Sequence, residues 1–165
     1  MIDQADSYID VKAMRLVKKQ ISVMSKMADN DSFEVPVEID GRYVSMNITL
    51  KSKEGGGSKV ETSVDTEDYG HISMALTLLD GEAKGIFAAS GASSEYLTEY
   101  MEKIRENFVS EISDNMPNIN IDVNNIGIMY HMSNAADAVS EGENGISDSR
   151  TLLRMAGVFV HAIQT

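Results

Sequence analysis

Residues 70–87 read Gly70-His-Ile-Ser-Met-Ala-Leu-Thr-Leu-Leu-Asp-Gly-Glu-Ala-Lys-Gly-Ile-Phe87. Ile72, Met74, Leu76 and Leu78 fall at every second residue, run into Asp80-Gly81, and the chain returns through Ala83, Gly85 and Phe87. Period two on both sides of an Asp-Gly pair predicts a β-hairpin closed by a two-residue turn. The same device stands upstream, where Phe33, Val35, Val37 and Ile39 alternate, Asp40-Gly41 turns, and Val44, Met46, Ile48 and Leu50 alternate again. Pro36 has no N–H to give to a ladder, so the first strand of that hairpin is an edge strand or carries a bulge. Between the hairpins, the glycine-rich run 51–58 reads as a surface loop and 59–65 as a short strand.

Downstream the period changes to that of a helix. From about Ser94 to Asp114, Leu97, Met101, Ile104, Phe108 and Ile112 form an apolar stripe opposite Glu95, Glu99, Glu102 and Glu106. A third β region is expected where Ile119, Ile121 and Val123 alternate with Asn118, Asn120 and Asp122, with 126–132 pairing nearby. Residues 133–149 hold four acids and no base and read as an exposed loop; a last helix, 150–164, is apolar along one flank. At the other end, Ile9, Ala13, Val17, Ile21, Met24 and Met27 recur at helical spacing. This first segment is the only region with net positive charge, five bases against three acids in the first 28 residues. Strands clustered before packing helices predict one α+β domain over 1–165: a mostly antiparallel sheet of hairpins with helices on one face, flanked by N- and C-terminal helices. Its parts are an amphipathic helix to residue 30, a core over 33–132, the acidic loop and the closing helix.

The 165 residues suffice for a real core without metals or cross-links. No cysteine is present, which excludes disulfides, thiol nucleophiles and thiolate metal sites. A formal charge of −12 repels a phosphate backbone, so nucleic acid is not an expected partner. The N-terminus has acids where a secretory signal needs bases, and no apolar run reaches membrane-spanning length. A cytoplasmic chain is expected, or one that leaves by a route needing no cleaved signal.

No catalytic pattern emerges. His71, His131 and His161 stand far apart, and no HExxH motif exists, so no metal is expected. The run from Asn118 to Asn125 fails as a calcium loop in either frame: one has Asn125 where glycine is needed, the other Ile126 and Ser133 at ligand positions. Gly55-Gly-Gly-Ser-Lys59 lacks phosphate-loop spacing and does not open a helix. The helix carboxylates lie on a solvated side, whereas catalytic groups need desolvation or a charge partner. No enzyme and no cofactor are therefore expected. Met24 and Met27 suit an adaptable interaction surface as well as a core, whereas Met74, Met101 and Met155 fall on core stripes.

Residues 59–123 resemble the C-terminal domain of flagellar hook-length control proteins. That family shows a strand, a turn of pattern L-x-P-x-x-L-G, alternating aliphatics, a return strand, a leucine-spaced helix with an L-R pair, and a closing strand. Here Val64-Asp-Thr66-Glu-Asp-Tyr69-Gly70 stands at the turn, followed by Ile72, Leu76 and Leu78, and Phe87 ends the return strand. Leu97, Met101, Ile104-Arg105 and Phe108 take the helix positions, and Ile119, Ile121 and Val123 the closing strand. Thr66 replaces the pattern's proline, Tyr69 its leucine, and no glycine follows the helix around 115–117. The run Lys19-Gln-Ile-Ser-Val-Met24 ahead of Val35-Pro-Val-Glu-Ile-Asp-Gly41 also resembles proteins of Clostridia-type bacteria, without implying a function. What the hook-length resemblance implies is a non-enzymatic switch of export specificity that docks on the cytoplasmic part of the type III export gate. Tyr69, Gly70 and Arg105 are the matching protein-binding candidates. Their other readings are a packed turn residue, a backbone requirement, and an ion pair with Glu102 or Glu106. A structural adaptor unrelated to secretion, and a small-molecule-binding or hydrolytic domain assembled from distant residues, stand beside it.

Overall fold

The computed structural model describes residues 32–52, 58–139 and 149–164. The expected first helix, the tip of the glycine loop and most of the acidic loop lie outside the described residues. Six strands form one sheet in the order of the chain: β1 (Ser32–Ile39), β2 (Arg42–Ser52), β3 (Ser58–Thr66), β4 (Gly70–Leu79), β5 (Glu82–Ala89) and β6 (Ile126–Met129). The first five are an antiparallel meander, and β6 returns parallel to β5 after the helix α1 (Glu95–Asn115). A second helix, α2 (Ser149–Gln164), ends the described chain.

Both Asp-Gly pairs close two-residue turns. Asp40 and Gly41 have φ of 52° and 79°, Asp80 and Gly81 of 50° and 80°. Positive φ at both central residues matches the twist of the flanking strands and fixes the register of each hairpin. Counting back from the Ile39–Arg42 closing pair, Pro36 opposite Ser45 falls at a non-hydrogen-bonded pair. The N–H that proline lacks would have pointed away from β2, so Pro36 leaves the ladder whole and interrupts the outer edge of the sheet.

On the core face the alternating residues line up across strands: Val35, Met46, Val64, Ile72 and Ala89 form one continuous row. The α1 stripe of Leu97, Met101, Ile104, Phe108 and Ile112 is buried in the same cluster as this row. So are Leu152, Leu153, Met155, Ala156, Phe159, Val160 and Ile163 of α2. Phe87 meets Phe108 and Phe159 edge-on, each at 5.3 Å between ring centroids, so one aromatic joint ties β5 to both helices. Edge-to-face pairing aligns positive ring edges with negative faces.

The opposite face is partly covered as well. Residues 132–139, expected to be mainly exposed loop, lie across β4 and β5. There the sheet presents the small residues Ser73, Ala75 and Ala88, and Ala135 packs on them. Ser73 Oγ accepts from the Ala135 N–H at 2.9 Å, and Lys59 Nζ donates to the carbonyls of Ala136 and Val139 at 3.4 and 2.9 Å.

The third β region differs from its expectation. Of 119–123 only Asn120 pairs with a strand, through one bridge to Glu82, while Ile119 and Ile121 pack on the core and the strand begins at Ile126. Asp122 Oδ1 accepts from the Asn124 N–H at 2.6 Å and bends the chain into a 3-10 turn at Val123–Asn125. Short Asn and Asp side chains offer the backbone a local partner that competes with a ladder.

Candidate functional site

The β1–β2 turn, the β3–β4 turn and the start of α1 meet at one end of the molecule. The β3–β4 connection is a three-residue loop, with Gly70 opposite Thr66. Thr66 Oγ1 accepts from the Tyr69 N–H at 3.0 Å and donates to the Gly70 carbonyl at 2.8 Å. Gly70 has φ of 73°, a conformation that a side chain strains. Its role is therefore to let the loop close and set Tyr69 at its tip.

Tyr69 lies flat on Tyr100, with ring centroids 3.6 Å apart and planes within 3°, and stacks on Tyr96 at 5.0 Å. Tyr96 and Tyr100 are one helical turn apart on α1, which Ser94 caps by accepting from the Leu97 N–H at 3.2 Å. Burial pushes the Tyr100 hydroxyl up to about 12, with the charges of Asp40 and Tyr96 adding to it. Tyr69 is raised further, first by its hydrogen bond with Tyr96 and then by burial. Both are neutral phenols at physiological pH. Asp40, on the β1–β2 turn, is among the charges that raise both tyrosines.

Beside the stack a groove of about 500 Å³ runs between the two turns, floored by Ile39 and Val44. Its walls carry four carboxylates, Asp40, Asp65, Glu67 and Asp68, against one base, Arg42. Arg42 pairs with Glu67, and His71 Nδ1 lies 2.7 Å from Asp65 Oδ1. Tyr43 on the rim is 79% exposed, and Tyr96 58%. Large aromatic rings held in water cost free energy unless a partner covers them.

Of the sequence candidates, Tyr69 and Gly70 fall in this surface. Arg105 does not share its geometry. It donates from Nη2 to Glu102 and from Nη1 to the Ile126 carbonyl at 3.2 Å, tying α1 to the start of β6. Tyr43, Tyr96, Tyr100 and Asp40 were not singled out by the sequence. The four-residue spacing of Tyr96 and Tyr100 was legible, but their partner on the β3–β4 turn was not. Among the described residues, no group of three or more His, Asp or Glu is arranged to hold a metal, and no helix is long and apolar enough to cross a membrane. Compared with known proteins, the chain matches no family model, no curated protein and no solved structure.

Proposed function

We propose that this domain is a non-enzymatic protein-interaction module that docks through the tyrosine–carboxylate end. The observation that carries the reading is the pair of exposed rings, Tyr43 and Tyr96, beside an acidic groove with an apolar floor. Tyrosine supplies large contact area at low entropic cost and is enriched at binding hot spots. Carboxylates around it favour a basic partner, since they steer encounter and ammonium or guanidinium groups also settle on ring faces. The resemblance of residues 59–123 to hook-length control proteins supports the cytoplasmic part of the flagellar type III export gate as that partner, with the domain acting in the cytoplasm as a switch of export specificity.

The test is capture of the export-gate cytoplasmic domain by the full chain, and by Tyr43→Ala and Tyr96→Ala. Both substitutions remove exposed rings and leave the core untouched. The reading requires at least a tenfold loss of affinity in one of them with an unchanged melting temperature. Capture that neither substitution weakens removes this surface from the function. No capture at all leaves an adaptor unrelated to secretion.

A further inference from the structure

The sheet forks beside the acidic groove. The β2–β3 ladder runs from Ser52–Ser58 to Met46–Val64 and stops there, although β2 continues to Arg42 and β3 to Thr66. The same register would next pair Ser45 with Asp65, Val44 with Thr66 and Tyr43 with Glu67, and none of these pairs forms. Both prongs line the groove of about 500 Å³, Tyr43 and Val44 from one side, Asp65 and Thr66 from the other. We propose that this fork receives a strand: an extended basic segment of a partner protein pairs its main chain with β2 at Tyr43. The inference rests on the interaction reading above, to which it adds the partner's conformation and its sequence pattern.

Backbone hydrogen bonding is the first argument. Counting from the Ile39–Arg42 closing pair, Arg42 and Val44 give their backbone groups to β1, so the N–H and C=O of Tyr43 point the other way, towards β3. Neither has a backbone partner among the described residues. A strand residue set opposite Tyr43 exchanges both bonds with it, as in a regular antiparallel ladder. The outer edge of β1 offers no such place, because Pro36 lacks an N–H and the exposed Glu34 and Glu38 flank it. Alternation is the second argument. Tyr43 and Asp65 lie on the outer face of the sheet, since Val44 and Val64 beside them pack on the core. An added strand therefore sets every second side chain against Tyr43 and Asp65, and those between them on the floor of Ile39 and Val44. Charge is the third. Four carboxylates line the groove against one base, Arg42, which Glu67 already engages. A guanidinium opposite Tyr43 gains both a ring face and a carboxylate. The pattern that fits is basic–aliphatic–basic in an extended chain.

The experiment titrates the full chain with the peptide acetyl-Arg-Val-Arg-Val-Arg-amide and two relatives. One relative carries an N-methyl group on every arginine, which keeps charge and side chains but removes the N–H that would donate to the Tyr43 carbonyl. The other has glutamate in place of each arginine. Calorimetry reads affinity, and 15N NMR reads exchange of the Tyr43 amide with water. The arginine peptide should bind and slow exchange at the Tyr43 amide at least tenfold at saturation. N-methylation should weaken binding at least tenfold, and the glutamate peptide should not bind. Equal affinity of the N-methylated peptide, or an unchanged Tyr43 amide, would show that a ligand uses side chains alone and would overturn the proposal. Equal affinity of the glutamate peptide, or no binding of the arginine peptide at about 1 mM, would overturn it as well. Any of these results, found together with a loss of export-gate capture in Tyr96→Ala, refutes strand pairing and leaves the docking surface standing.

Discussion

Thr62 faces the core from β3, opposite Met74, is 2% exposed, and its hydroxyl has no hydrogen-bond partner among the described residues. A buried unsatisfied hydroxyl costs about 1–3 kcal/mol, and valine fills nearly the same volume. Thr62→Val should therefore raise stability by about 1 kcal/mol in urea titration; a loss would mean that the hydroxyl is satisfied. Phe108 is the opposite case, fully buried and edge-on to Phe87, so Phe108→Ala should cost about 3–5 kcal/mol. A cost below 1 kcal/mol would show that the helix stripe faces elsewhere. The tyrosine stack gives a pH dependence. Unfolded tyrosine ionises near pH 10, whereas burial holds Tyr100 up to about 12. Its contribution to stability is whole below pH 10. It is lost as pH rises towards 12, because the unfolded chain releases the proton first. Absorbance at 295 nm should show a late component above pH 10 from Tyr100 and Tyr69, and in Tyr100→Phe that late signal should shrink.

At the scale of elements, what was legible followed from local rules. The two Asp-Gly turns carry their φ preference in the residues themselves, and period two on each side needs no distant partner to be read. The α1 stripe was equally plain. What could not be read depends on contacts far apart in sequence. The apolar spacing of 119–123 suggested a strand, yet only Asn120 bridges β5, Asp122 turns the chain, and the ladder with β5 begins at Ile126. The cover over the outer face was also hidden, since only the fold brings Lys59 to carbonyls 77 and 80 residues away. Lys59 is 5% exposed, and Glu61 Oε1 stands 3.0 Å from its ammonium, so a buried charge holds that cover in place. Hydrogen bonds from charged groups contribute about 1.5–3 kcal/mol. Lys59→Met should accordingly speed hydrogen exchange at the Ala135 amide roughly tenfold to a hundredfold, with little change at Met74 in the centre of β4. Equal acceleration at both sites would mean that Lys59 supports the whole sheet and not the cover alone.

For the molecule as a whole, the span that resembles hook-length control proteins is not a separable unit. Residues 59–123 contain all but one residue of β3, all of β4, β5 and α1, while the strands on either side and α2 complete their core. Deleting them would unfold the domain, so a lost phenotype would say nothing about docking. Point substitutions at the exposed rim avoid this, because Tyr43 and Tyr96 contribute little to the core. If the domain switches export specificity, a flagellated host carrying Tyr43→Ala/Tyr96→Ala should build abnormally long hooks without filaments while the protein accumulates to normal levels. Binding to the partner should weaken as salt rises from 0.05 to about 0.5 M, since rim carboxylates act mainly by steering and register. Normal filaments with a stable variant would end the switch reading. A salt-independent affinity would instead place the contact on the rings and the apolar floor of Ile39 and Val44, with the carboxylates serving only to keep that end in water.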